Sequence, residues 1–338
     1  MGGQTVDKIG AAVIGLRMGM NHLDAYLSNP NCQVIAVCDK DEELLKQTAA
    51  KHNIPVAVTD AEKILGDARI KVVTVAVPDH FHATYTIAAL KAGHHVLCEK
   101  PMAPTVKECQ EMVAASERTG RKLMIGQSYR YSPAYLVVKQ AVERGEVGKV
   151  YFVESEYWNN LTAAQGVGGW RNDPKIRHPF VGGSHALDLM RWVAGDVAEV
   201  SAIANHLAYL AQPTDDCIMA NVKFVSGCIG RALVSSGCAR PFLTTLRAYG
   251  TEGSLDGDTL WKSRTDKAPV KLPLPQAPPS IRAETADFVK AVLEDSPVPI
   301  DAREGAKSTV ACLAVVEASL TGKRMKMDNK ALSYSPVD

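Results

Sequence analysis

No apolar run in this 338-residue chain reaches the ~18 residues that a membrane-spanning helix needs. Net charge is nearly absent too: 38 basic side chains against 37 acidic ones leave +1. A surface so balanced has no bulk field to draw in nucleic acid or an anionic membrane, and neither is expected as a partner. A cysteine framework is also missing. The eight cysteines are scattered, without CxxC pairs or cysteine–histidine zinc spacing, and several sit in strongly apolar stretches. They read as reduced, buried thiols of a cytoplasmic protein. The opening MGGQTVDKIGAAVIG lacks a cationic n-region, which argues against a signal peptide. Val6 stands where a myristoylation signal wants Ser or Thr. There is no internal repeat and no low-complexity tract. What remains, 46% hydrophobic and 22% charged residues, is the composition of a globular protein long enough for two cores.

Up to about residue 128, short apolar runs alternate with amphipathic ones, the rhythm of an α/β doubly wound parallel sheet. IGAAVIG, QVIAVCD, IKVVTVAVP, HHVLCEKP and KLMIG read as strands. Helices are predicted over Arg17 to Ser28, stopped by Asn29-Pro30, and over Asp41 to His52, with acids in its first turn. Two more run from Phe81 to Ala92, closed by Gly93, and from Thr105 to Thr119, opened by a Thr105/Glu108 capping box. After YRYSP the rhythm changes. A helix from Ser132 to Arg144 leads into the long strand KVYFVESEYW, then a loop over 159–182, then a short helix, SHALDLMRWVAG. Val197 to Leu260 reads as strands, with a hairpin turning at Ser226-Gly227. A proline-rich excursion over 264–280 and two helices near 281–294 and 302–320 close the chain. Two domains are expected, 1–128 and 129–338.

The stretch VIGLRMGMNH is a nucleotide-binding turn with an arginine in place of its middle glycine. A strand, a glycine turn, a helix and a second strand ending in an acid make a dinucleotide unit. Gly15 and Gly19 shape the turn, and Arg17 and Met18 lie between them. The helix N-terminus offers N–H groups and a positive dipole end to a pyrophosphate. Asp39, 20 residues after Gly19, can accept from both ribose hydroxyls. Arg17 is tolerable because backbone groups hold the phosphate and a guanidinium can swing out to pair with it. It is expected at ordinary negative φ, since only glycine takes positive φ cheaply. The alternatives are an ordinary βαβ unit whose Asp39 merely begins the next helix, and an Arg17 that is a surface cation. Asp39 favours NAD, because a 2′-phosphate would meet a carboxylate; neighbouring Lys40 keeps NADP open.

HVLCEKP places Glu99, Lys100 and Pro101 just past a buried strand, where doubly wound sheets bind ligands. A lysine there can face a nicotinamide and donate to a substrate oxygen. The chain resembles the glucose–fructose oxidoreductase/inositol dehydrogenase family along nearly its whole length. The resemblance rests on VIGLRMGMNHLDAY, VIAVCD, VAVPDHFHATYTIAALKAGHHVLCEKPMAPT, GQSYRYSP, GEVGKVYFVESEYW, SHALDLMRW, AYGTEGSL and DAREGAKSTVACLAVVEASLTGKRMKM. It implies a Rossmann domain followed by an α/β domain with an open, mostly antiparallel sheet. It also implies NAD(P)-dependent oxidation or reduction of a sugar, cyclitol or related polyol. By the same resemblance Lys100 is the catalytic lysine, His185 the catalytic histidine, and Pro78, His82 and Glu99 lie on the cofactor side. Many members carry an Asp four residues before that histidine; here Val181 stands there. Asp188, at i+3 from His185, could replace it or could be a structural partner, and His178 or Asp173 could supply the missing polar group.

Oxidising a carbinol requires that a hydride leave carbon and a proton leave oxygen. His185 suits the proton and Lys100 the developing alkoxide. The loop residues Trp158, Asn159, Asn160, Trp170, Arg171, Arg177, His178 and Phe180 suit a sugar-binding wall, joined by Tyr131 and Tyr157; the plainer reading is a surface excursion anchored by its tryptophans. Tyr135 and Lys139 match the tyrosine–lysine pair of short-chain dehydrogenases but read as coincidence. His80 and His82 diverge at their spacing, so no metal is expected. A homodimer or homotetramer built on the strands around Cys217 to Ser235 is expected, as in the family. Two rival functions stay open. One is a redox-neutral glycoside-cleaving enzyme that oxidises, eliminates and regenerates NAD; the other is a non-catalytic NAD-binding regulator.

Overall fold

A computed structural model describes residues 8–161, 183–210, 214–262, 265 and 268–337. Their contacts group the chain into two units. The first unit holds the chain up to Ala103, Lys107–Ser128 and Pro278–Ala306; the second holds Pro104–Val106, Tyr129–Ala277 and the chain from Lys307. The expected single cut after residue 128 therefore needs a correction, because the chain returns to the first unit. The helix Ser280–Leu293 buries Thr285, Phe288 and Val289 there. The Ile125 N–H then donates to the Ile300 carbonyl at 3.0 Å, and Met124 bridges to Asp301.

The first unit is a six-stranded parallel sheet in the order β3-β2-β1-β4-β5-β6. Its elements follow the predicted rhythm. They are β1 (Ile9–Ile14), α1 (Gly19–Ser28), β2 (Cys32–Cys38), α2 (Glu42–His52), β3 (Val56–Val58), α3 (Glu62–Leu65), β4 (Ile70–Val75), α4 (His82–Lys91), β5 (His95–Glu99), α5 (Val106–Thr119) and β6 (Leu123–Gly126). Every residue of β1 and β6 is buried, as in a sheet covered on both faces. Asp41 caps α2 by accepting the Leu44 N–H, with Glu42 and Glu43 in the first turn and Asn53 left-handed at its end. Helix α1 begins at Gly19, not Arg17, because Leu16, Arg17 and Met18 are spent on the turn. Strand order reverses between β1 and β4, which places the ligand crevice beyond their carboxyl ends.

The second unit opens with α6 (Pro133–Glu143), which carries its proline in the first turn. There follow β7 (Val150–Trp158), α7 (Ser184–Ala194), β8 (Val197–Asn205), β9 (Cys217–Phe224), β10 (Ile229–Ser235), β11 (Leu243–Thr244), β12 (Arg247–Gly250), β13 (Ser254–Asp256), β14 (Thr259–Trp261) and β15 (Val270–Lys271). Next come α8, the helix already given to the first unit, α9 (Ala302–Thr321), β16 (Arg324–Asp328) and β17 (Ser333–Val337). The eleven-stranded sheet runs β15-β14-β13-β12-β7-β10-β9-β8-β16-β17, with β11 on β7. Only the β7–β10 pairing is parallel. The hairpin of β9 and β10 turns where expected: Phe224 N–H donates to Cys228, and Gly227 takes φ +85°. The terminal hairpin was not anticipated, although RMKMD buries Met325 and Met327 and exposes its other residues with period two. Helix α7 covers one face of this sheet so closely that a Cβ at Gly230 would come within 2.7 Å of Met190. No helix among the described residues is long and apolar enough to cross a membrane.

Candidate functional site: a dinucleotide turn, a charged corner and a stacked histidine

The turn after β1 is built for close approach. Gly15 has φ +90°, and a Cβ there would lie 2.6 Å from the Ala76 carbonyl oxygen. Gly19 lets α1 press on β1, where a Cβ would meet Val13 at 2.8 Å. Arg17 is not among the residues with positive φ, as expected, and it is exposed beside Met18. Asp39 does more than the sequence suggests. Its Oδ2 accepts the Leu16 N–H at 2.6 Å and its Oδ1 accepts the Asp41 N–H at 2.9 Å. The carboxylate thus braces the glycine turn and opens α2, while each oxygen keeps lone-pair capacity for a ribose hydroxyl. The Lys40 ammonium lies 5.2 Å from the centre of the Phe81 ring.

At the end of β5 the charged corner is fastened from within. Glu99, 6% exposed, accepts from His22 Nε2 at 2.9 Å and from the Lys100 N–H at 3.1 Å. Burial works against its charge, but the His22 bond and the His22, Lys100 and His82 charges outweigh it and hold the carboxyl below its usual range. His82, 2% exposed, has both ring nitrogens on carbonyl oxygens: Nδ1 on Pro101 at 2.8 Å and Nε2 on Val77 at 2.9 Å. The side chains of Glu99 and His82 are thus committed inside the unit. Within the unit they shape the corner that carries Lys100. Pro78 and Lys100 are half-buried. Sequence reading passed over Gln127, the residue after β6. Its amide is fully buried, and neither its nitrogen nor its oxygen has a hydrogen-bond partner within the protein. Its only sequence signal is its place past a buried strand.

In the second unit, His185 lies in the first turn of α7, 5% exposed. Its ring is stacked on Tyr129, with centroids 3.8 Å apart and planes 2° apart, and Tyr129 stacks in turn on Tyr135. Tyr157, on β7, has its ring centre 6.5 Å from that of the imidazole, tilted by 31°. Tyr131 is half-buried at the end of the same short 3-10 turn as Tyr129. Asp188 is resolved in favour of the structural reading. Arg130 grips it with two bonds, at 2.8 and 2.7 Å, and the Ser308 hydroxyl donates to it at 2.6 Å. A carboxylate 1% exposed and held by three bonds is turned into the protein interior, where it serves the packing of α7. Tyr135 and Lys139 are drawn off to the carbonyls of Thr244 and Trp192, which supports coincidence. Trp170, His178, Asp173, Arg171, Arg177, Phe180 and Val181 lie outside the described residues.

Two family profiles match the chain. Residues 9–127 match that of the oxidoreductase family with an NAD-binding Rossmann fold, GFO_IDH_MocA, and residues 135–256 match the GFO/IDH/MocA C-terminal domain. The chain belongs to the GFO/IDH/MocA family. It is accordingly an NAD-dependent oxidoreductase. Among the relatives of this GFO/IDH/MocA protein, a 1,5-anhydro-D-fructose reductase of Ensifer adhaerens is 28% identical over 315 residues, 88% of this chain and 91% of the relative. A levoglucosan dehydrogenase of Pseudarthrobacter phenanthrenivorans is 26% identical over 65% of this chain and 63% of its own. Among solved structures, an oxidoreductase domain protein from Kribbella flavida superposes with a TM-score of 0.86 at 24% identity, covering 95% of this chain and 100% of that one.

The residues of the GFO/IDH/MocA chain fit NAD. Gly15 and Gly19 allow the tight turn from β1 into α1, whose N-terminus would offer N–H groups to a pyrophosphate; Asp39 would accept from a ribose, and the Gln127 amide would supply both a donor and an acceptor.

Proposed function

We propose that the protein oxidises a CH–OH carbon of a sugar, cyclitol or glycoside. Bound NAD supplies the hydride acceptor. His185 exchanges the hydroxyl proton, which an imidazole does readily near neutral pH. Lys100 donates to the substrate oxygen and stabilises the alkoxide as charge develops. Tyr131 and Tyr157, with Trp170 and His178, form the wall for the sugar's C–H faces and hydroxyls. Asp39 favours NAD over NADP, and Arg17 pairs with the pyrophosphate. The observation that carries the reading is His185 held flat against Tyr129, in a chain whose other unit bears the dinucleotide turn and Lys100. The names of the relatives, a sugar reductase and a sugar dehydrogenase, support the substrate class.

A redox-neutral glycoside-cleaving activity is the second reading, favoured by Val181 in place of the Asp that the family resemblance expects. A panel of polyols and glycosides, assayed for both NADH formation and aglycone release, separates the two. NADH formation supports the dehydrogenase; aglycone release without NADH supports cleavage; neither, across sugars and cyclitols, overturns both.

The protein is further proposed to be cytoplasmic, with its eight cysteines as free thiols. It is also proposed to be a homodimer or homotetramer joined through the open sheet face. There Ile203 pairs with Met219, and Met219 with Leu233, in one register across β8, β9 and β10. Ile203 is 68% exposed and Met219 and Leu233 are half-buried, so this apolar row is only partly covered among the described residues. A monomer by light scattering at micromolar concentration would sink the proposal.

A further inference from the structure

The corner Glu99-Lys100-Pro101 is held on both sides by buried histidines that no substrate has to touch. On one side His22, fully buried in α1, donates from Nε2 to Glu99 and brings Nδ1 to 3.4 Å from the Thr285 hydroxyl of α8. On the other side is His82. A carbonyl oxygen can only accept, and His82 faces one with each nitrogen, Pro101 at 2.8 Å and Val77 at 2.9 Å. A neutral imidazole has one N–H and one bare lone pair. It would satisfy one of these contacts and set a lone pair against an oxygen in the other. Only the doubly protonated ring makes both bonds. This ring therefore ties the start of the loop after β4, at Val77, to the backbone on the far side of Lys100.

We propose that His82 is a buried imidazolium brace and that, together with the His22–Glu99 pair, it positions the peptide carrying Lys100. Both histidines are positioning residues, and the proposal rests on the reading of Lys100 given above. The titratable groups facing His82 are Asp79 on its own loop and Cys98 and Glu99 on β5. Burial works against the charge, while the Cys98 side chain, the Pro101 carbonyl and Asp79 work for it; the balance raises the imidazole to about 9. The brace accordingly holds at neutral pH and loosens as the pH climbs through about 9.

The decisive measurement uses the intact protein labelled with 15N-histidine, its His82 signals assigned by their loss in His82→Gln. Both His82 nitrogens are expected at imidazolium shifts at pH 7.5. A neutral tautomer at that pH overturns the brace. The consequence for Lys100 is read without any substrate, from the rate at which acetic anhydride labels it relative to exposed Lys91. His82→Leu removes both bonds and should change the Lys100 rate severalfold. His82→Gln keeps an amide that can donate to either carbonyl and should stay close to the parent, without the change the parent shows above pH 9. An unchanged Lys100 rate in a His82→Leu protein that still binds NADH rejects positioning; should that variant not fold, the nitrogen shifts of the parent still decide. A Lys100→Met protein that turns over normally would instead refute the role of Lys100, while the His82 shifts test the brace separately.

Discussion

Each unit hides a carboxylate beneath a corner assigned to chemistry, and the two satisfy it differently. Glu99 in the first unit is matched by an imidazole and a backbone N–H. Asp188 in the second is matched by both arms of Arg130 and by Ser308, which itself accepts from Arg191 at 2.6 Å. A guanidinium keeps its charge at any pH a protein survives, whereas an imidazole gives it up near neutrality. The second unit thus fixes its histidine through guanidinium bonds to a carboxylate. The first sets its lysine through bonds from imidazoles, of which His82 is raised to about 9. Tyr129 and Arg130, adjacent in sequence, divide the task in the second unit: one ring lies on His185, and the other side chain pins α7 three residues further along.

The contrast breaks most visibly at the groups assigned to the chemistry. His185→Ala and Lys100→Ala should each lower kcat/KM by about 10²–10⁴-fold, the worth of a positioned acid–base group, with NADH affinity preserved. Retained turnover in either variant would remove that residue from the mechanism. Next comes the pin. Asp188→Ala strands the Arg130 guanidinium in a buried site and should cost about 3–5 kcal/mol in a denaturant titration. A loss below ~1 kcal/mol would put the pair among exposed, weakly contributing bridges.

The pH response sharpens the comparison. His82 is raised from 6.5 to about 9, so its contribution to stability is complete below about pH 6.5 and is lost as pH rises through about 9. Glu99 is lowered, so its contribution is complete above its unfolded value and is lost as pH falls through the folded one. Melting temperature should therefore decline at both ends of the scale, and His82→Gln should remove the alkaline decline alone. An unaltered alkaline limb in that variant would assign the decline to other groups.

Smaller effects are expected at the cofactor. Arg17→Ala should weaken NADH binding by about 1.5–3 kcal/mol, the range for hydrogen bonds to charged groups. Unchanged binding makes Arg17 a surface cation. If the unpartnered Gln127 amide meets the nicotinamide carboxamide, Gln127→Leu should weaken NADH binding while leaving ADP-ribose, which lacks the nicotinamide, unaffected. Equal losses for both ligands would place Gln127 away from the nicotinamide.

The sequence by itself determined whatever depends on neighbours within a few positions. The alternation of buried strands and capped helices, the glycines of the turn and the hairpin at Gly227 all follow from local backbone geometry and short-period burial, and each is found near its predicted place. Asp41 and Asn53 bound α2 for the same reason. Only the tertiary structure decided how the site is held. His22 meets Glu99 across 77 positions and Thr285 across 263, and Asp188 meets Arg130 across 58 and Ser308 across 120. No periodicity of 2 or 3.6 residues carries information over such spans. Asp188 therefore kept two readings along the chain, and the internal partners of His82 stayed hidden, until the fold supplied them. Tyr129 was overlooked for the same reason, since only the path of α7 brings His185 onto its ring. The return of α8 to the first unit is likewise invisible along the chain. An amphipathic helix states that it has a buried face, and only the three-dimensional fold states what that face is buried against.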